Sequence, residues 1–238
     1  MPPAAKPRGP TRALIFAIDE RARFQVHATT ETSSPSTIST ASGRGSRYNW
    51  RVVDIVVASV IGVAAGIVFW MWDQAYTPLS APLTPLLPGL QALVGGGWLF
   101  AGVLGGLIIR KPGAALFTEL VAAAVSALIG TQWGPLTLLS GLVQGLGAEI
   151  VFALFLYANY RAHVAILAGM GAGVALAVND LINWYPGSTP QFAIVYTVSS
   201  VISGALLAGV LSWLALRGLA KTGALSRFAS GRAVQARV

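Results

Sequence analysis

The sequence predicts an all-α integral membrane protein, with six transmembrane helices in one bundle and both termini cytoplasmic. Three observations predict it. Of 238 residues, 55% are hydrophobic and only 10% charged, against roughly 25% charged in an ordinary soluble domain. Six apolar stretches, most near the ~20 residues that cross a ~30 Å hydrocarbon layer, follow one another toward the C-terminus. Lysine and arginine are confined to alternate connections between those stretches.

Residues 1–48 read as a disordered, Ser/Thr-rich cytoplasmic tail. The segment 28–43, ATTETSSPSTISTASG, has ten Ser or Thr in sixteen positions, too few apolar side chains to offset the entropy of ordering. Its apolar patch ALIFAI (13–18) is too short for a signal-peptide core and is followed by no small-residue cleavage site. Residues 49–220 form the membrane domain, and 221–238 a basic cytoplasmic tail.

The spans fall at about 51–73, 89–110, 113–130, 136–160, 163–184 and 191–217. The third is the shortest, and RKPGA (110–114) turns tightly into it. Arg44, Arg47 and Arg51 precede the first span, Arg110 and Lys111 join the second to the third, Arg161 joins the fourth to the fifth, and Arg217, Lys221 and Arg227 follow the sixth. The other connections, 74–88, 131–135 and 185–190, contain no Lys or Arg. The positive-inside rule therefore places the basic connections and both termini in the cytoplasm. The first outer connection carries Pro78, Pro82, Pro85 and Pro88 and reads as a semi-rigid segment rather than a helix. Trp70, Trp72, Trp133, Trp184 and Tyr185 crowd the same side, as an interfacial belt or as the mouth of a binding site.

Several function classes drop out. With no cysteine and only His27 and His163, a disulfide framework, a thiolate or histidine metal centre and a cysteine nucleophile are not expected. No Gly-x-x-x-x-Gly-Lys-Ser/Thr loop, His-Glu-x-x-His or Gly-x-Ser-x-Gly motif occurs, so neither ATP hydrolysis nor other catalysis is expected of this chain, nor any cofactor. The net charge of +8 lies mostly in the two terminal segments and suits a membrane surface; no nucleic-acid partner is expected.

An ionisable side chain within a span is costly, and by default it marks a functional site or a buried partner. Glu119, Glu149 and, nearer the outer boundary, Asp180 are such residues, and no Lys or Arg lies at similar depth. They must be protonated, hydrogen-bonded to neutral groups, or matched to a cationic or donor-bearing ligand. At 1.5 Å per residue Glu119 lies roughly 16 Å below the outer surface, Gln144 roughly 12 Å and Glu149 roughly 20 Å, with Asn179 and Asp180 near the mouth. Such a descending series suits a pocket open outward. Thr137, Ser140 and Gln144 share one polar stripe leading down from the outside, whereas Glu149 lies below Gly141 and Gly145 on another face, as a helix-to-helix hydrogen bond or a ligand contact. Glu119, beneath Ala123, Ser126 and Gly130, is the preferred ligand-facing carboxylate. Ala58, Gly62 and Gly66 form a small-residue stripe on the first span, either internal to the bundle or a docking face for another membrane protein.

The stretches IIRKPGAALFTELVAAAVSALIG (108–130), GLVQGLGAEIVF (141–152), LAGMG (167–171) and SGALLAGVL (203–211) resemble the YkoE family. These are substrate-binding S components of energy-coupling factor (ECF) transporters linked to thiamine or its hydroxymethylpyrimidine (HMP) precursor. The resemblance implies a six-helix protein of the bacterial cytoplasmic membrane that binds a vitamin from outside. Its implied partners are a transmembrane coupling subunit and two cytoplasmic ATPases, with Ala58, Gly62 and Gly66 as the contact to the coupling subunit. A carboxyl group pairs well with an aminopyrimidine edge, and aromatic faces suit both rings of thiamine. On depth and phase, Glu119 or Gln144 is expected at the pyrimidine edge, Trp133 and Tyr196 in stacking, Asn179 and Asp180 at the mouth, and Glu149 in a supporting or packing role. The alternative is a self-sufficient carrier with Glu119 and Glu149 as proton sites.

Overall fold

The computed structural model describes residues 48–226 and 228–231, all within the compact unit Gly43–Val238. Except for Tyr48, the tail expected over 1–48 lies outside the described residues. Those described form helices and turns, without a strand.

Helix α1 spans Val52–Ser80. Its first turn is fastened by Asp54, a fully buried carboxylate that accepts from the Arg51 backbone N–H at 2.8 Å and pairs with Arg51 Nη2 at 3.0 Å and Lys111 Nζ at 2.5 Å. The sequence places the end of this helix near Asp73; the helix instead runs through Pro78. One proline forfeits one N–H donor, while the buried side chains of Asp73 and Ser80 anchor the last turns. The chain leaves the helix only where Pro82, Pro85 and Pro88 accumulate, in turns over 81–89.

A 3₁₀ helix, Leu90–Trp98, follows. At 9 residues it exceeds the usual length of such helices, and side chains from other elements bind its backbone. Ser203 Oγ donates to Leu93 O at 2.5 Å and accepts from Gly96 N at 2.8 Å, while Trp72 Nε1 donates to Val94 O at 3.0 Å. Helix α2, Phe100–Ile109, then departs at a 40° bend. Next come α3 (Ala114–Ile129), α4 (Leu136–Leu154) and α5 (Ala162–Asn183). Helix α6 (Pro190–Ser203) passes through a π-helical turn, Gly204–Val210, into α7 (Leu211–Lys221).

Helices α1, α4, α5 and the continuous Pro190–Lys221 unit are long and apolar enough to cross a membrane, and the bent pair is a fifth span if counted as one. Helix α3 has 16 residues, roughly 24 Å of helix, short of a ~30 Å layer.

Lys111 reaches Asp54, Glu149 reaches the start of α3, and Arg110 lies over the Tyr160 ring. The starts of α1, α3 and α5 and the ends of α2 and α4 therefore share one end of the bundle, where Arg51, Arg110, Lys111 and Arg161 gather. Leu225 and Phe228 join the core there, and Ser230 Oγ donates to Ile108 O at 3.1 Å. The folded body thus runs past the boundary expected at residue 220.

The structure also corrects the docking role of Ala58, Gly62 and Gly66, because α3 occupies that face. A Cβ on Gly62 would lie 2.7 Å from Val121 Cβ, one on Gly66 would lie 2.7 Å from Ala122 O, and Ala58 is fully buried. The stripe packs this chain's own helices together at a separation only small residues permit.

Candidate ligand-binding site

Toward the other end, α1, the 3₁₀ helix and α3 to α6 surround a cavity of about 230 Å³. Glu119, Ala123 and Ser126 project from one face of α3, and Thr137, Ser140, Gly141 and Gln144 from α4. Helical phase explains both sets, since each recurs at three- or four-residue intervals. Among the described residues, no Lys or Arg lines the cavity.

Glu119 is 1% exposed. Its Oε2 accepts the Gly102 N–H at 2.5 Å, and its Oε1 has no hydrogen-bond partner. Thr137 Oγ1, also on the wall, has none. Buried polar atoms are overwhelmingly paired in native proteins, and these two, on one cavity, can each still take a hydrogen bond.

The aromatic wall is larger than the sequence indicates. Trp133, singled out from sequence, packs edge-on against Tyr76, Trp98 and Trp184, with centroid distances of 5.5, 6.0 and 5.4 Å. All of these rings line the cavity. Beside them lies Asp73, 3% exposed, accepting from Trp98 Nε1 at 2.8 Å and Ser126 Oγ at 3.2 Å. Sequence reasoning missed Asp73, Tyr76 and Trp98. The findable signal is the spacing Phe69, Asp73, Tyr76, a helical face continuing beyond the expected end of the first span.

Asp180 and Tyr196 complete the wall, joined by a 2.7 Å hydrogen bond from Tyr196 OH to Asp180 Oδ2. The Tyr196 ring stacks on Phe192 at 5.6 Å. Asn179 does not line the cavity; its Nδ2 donates to Ser140 Oγ and Asp180 Oδ1, both at 3.0 Å, and so orients two side chains that do. Glu149 lies elsewhere. It accepts from the backbone of Gly113 at 2.6 Å, Ala115 at 2.9 Å and Leu116 at 3.3 Å, and from Tyr157 OH at 2.8 Å. It therefore caps the start of α3, where free N–H groups and the helix dipole favour a carboxylate.

A helical membrane bundle enclosing an aromatic, acid-lined cavity suits a small-molecule transport subunit. The comparisons agree. A solved structure, described as the crystal structure of an S-component of an ECF transporter, matches with a TM-score of 0.72 and 36% identity over 79% of this chain and 95% of its own. A Bacillus subtilis (strain 168) protein that carries the name "Putative HMP/thiamine permease protein YkoE" is 37% identical over 185 residues, 77% of this chain and 92% of its own length. The family described as ABC-type cobalt transport system, permease component, matches residues 53–175. The chain belongs to this permease family and, within it, to the YkoE-type S components of ECF transporters. It is a multi-pass membrane protein that works in transport and not as an enzyme.

Proposed function

We propose that the protein captures thiamine, or its HMP moiety, from outside the bacterial cytoplasmic membrane. A transmembrane coupling subunit and two cytoplasmic ATPases then drive release inward. The six helical units all cross the bilayer in this reading, α3 by local thinning, and the basic end faces the cytoplasm. The observation that carries the substrate class is Glu119, whose unpartnered Oε1 lies on a cavity walled by indole and phenol rings. A carboxyl group there offers an acceptor to an exocyclic amine, and ring faces offer stacking to a flat heterocycle. The family description names cobalt. A transition metal needs several convergent His, Cys or carboxylate ligands, and among the described residues no group of three or more such side chains is placed to hold one. Calorimetric titration of the purified protein with thiamine, HMP and cobalt(II) tests the proposal. Binding of either organic ligand supports it; heat with cobalt(II) alone overturns it.

A further inference from the structure

We infer that the Pro190–Lys221 unit contains a two-register hinge. Its π-helical turn, Gly204–Val210, can close into an α-helical one, turning α7 about its axis and freeing it from α2. This motion does not depend on which ligand the cavity takes.

A π turn holds one residue more than an α turn and is rare, so something must favour it. Here it is the packing against α5. Gly204 and Gly209 are five residues apart, a spacing that an α-helix would set about 140° apart around its axis. Both nonetheless touch Gly169: a Cβ on Gly169 would collide with Gly204 O and lie 2.7 Å from Gly209 N. The extra residue brings the two glycines to one face, and backbone packs on backbone with no side chain between.

The same sequence supplies a second register. If the turn closes to α-helical geometry, α7 rotates by one residue, about 100°, and shifts by about 1.5 Å along its axis. Ala208, Leu211, Ala215 and Leu219 then take the places now held by Gly209, Ser212, Leu216 and Ala220, all of which are buried. The incoming set is apolar throughout. Arg217 and Lys221 move to the places of Gly218 and Thr222, both exposed, so no charge enters the core. Two such packings on either side of a break in helical order make the element bistable.

Serines before and after the turn tie it to the bent pair. Ser203, before it, binds Leu93 O and Gly96 N of the 3₁₀ helix, whose Ala92, Gly95 and Trp98 line the cavity. Ser212, after it, donates to Phe100 O at 3.1 Å, just past the 40° bend. In the second register Leu211 replaces Ser212 and that bond is lost, while Ser203 keeps its partners. The cavity wall then stays in place as α7 moves against α2.

Pairs of spin labels on the full-length protein in nanodiscs test this, and the lack of cysteine makes the labelling specific. Leu142→Cys on α4 is paired with Leu214→Cys on α7 and, as a control, with Ile194→Cys on α6; all three side chains are exposed. Gly209→Ala puts a Cβ 2.6 Å from Ile166 Cα and 2.8 Å from Ala165 O, which closes the present register. It should shift the 142–214 distance by roughly 5 Å, the scale of travel of a side chain on a helix turned by 100°. Deleting Leu206, exposed within the turn, sets the two glycines four residues apart and should leave a single population at the present distance. Ser212→Ala removes a bond made only in the present register and should raise the second population about threefold to tenfold. The control distance should not change. If Gly209→Ala does not fold, Ser212→Ala decides. The present distance kept by Gly209→Ala and Ser212→Ala in folded protein overturns the hinge, as does a shift of the control pair, which would mean general loosening.

Discussion

Glu119 on α3 and Gly102 on α2 are joined by a 2.5 Å hydrogen bond from the glycine N–H to Oε2. The bond fixes the carboxyl group, and Gly102 is needed for it: a Cβ there would lie 3.0 Å from Oε2 and 3.2 Å from Glu119 Cβ. Glu119→Gln retains an acceptor for Gly102 and turns the free oxygen into a donor. Thiamine affinity should fall about fivefold to a hundredfold, the scale of a buried hydrogen bond whose partner is left unpaired. An unchanged dissociation constant by calorimetry would exclude Glu119 from the ligand contact.

Glu149 is expected to serve stability and not binding. Glu149→Ala strips four hydrogen bonds from its two oxygens and should cost about 1–3 kcal/mol, the penalty of leaving buried donors unmet. Tyr157→Phe removes one of them and should cost about 0.5–1.5 kcal/mol. Thermal unfolding in detergent should show both losses, with thiamine affinity unchanged below the transition. A weakened affinity in folded Glu149→Ala would return this residue to the ligand site.

Gly66→Val is expected to destabilise the isolated chain. Its Cβ alone would lie 2.6 Å from Val125 Cβ and 2.7 Å from Ala122 O, overpacking that costs about 1–3 kcal/mol. A lowered melting temperature without any partner present would place the stripe inside the bundle. Unaltered melting with lost assembly onto the coupling subunit would restore it as a docking face.

Membrane orientation is open to direct labelling because the chain has no cysteine. With the basic end inside, Ser188→Cys, between α5 and α6, should react with an impermeant maleimide in intact cells. Thr222→Cys, after α7, should react only once the membrane is opened. The reverse pattern would invert the proposed topology.

Much of the cavity lining is legible in the sequence because an α-helix converts spacing into direction. Thr137, Ser140 and Gln144 share a helix face in the sequence and line one cavity in the structure, as Glu119 does with Ala123 and Ser126. Asp73 and Tyr76 were not legible, because a proline-rich stretch reads as a break. Whether Pro78 ends a helix depends on what anchors the turns around it, and Trp98 and Ser126, which hold Asp73, are remote in sequence. The 3₁₀ helix was hidden for the same reason: Ser203, more than a hundred residues away, binds its backbone.

By itself, the sequence determined a helical membrane protein with buried acids, because lipid forces backbone hydrogen bonds inside each segment and makes apolar length readable. It also determined which residues share a helix face, because the helical repeat is local. Only the tertiary structure decided which face meets which. It turned Ala58, Gly62 and Gly66 toward α3, set Glu149 over the start of α3, and gathered Asp73 with rings from four elements. Those outcomes depend on side chains from distant segments competing for the same space, which no local pattern records.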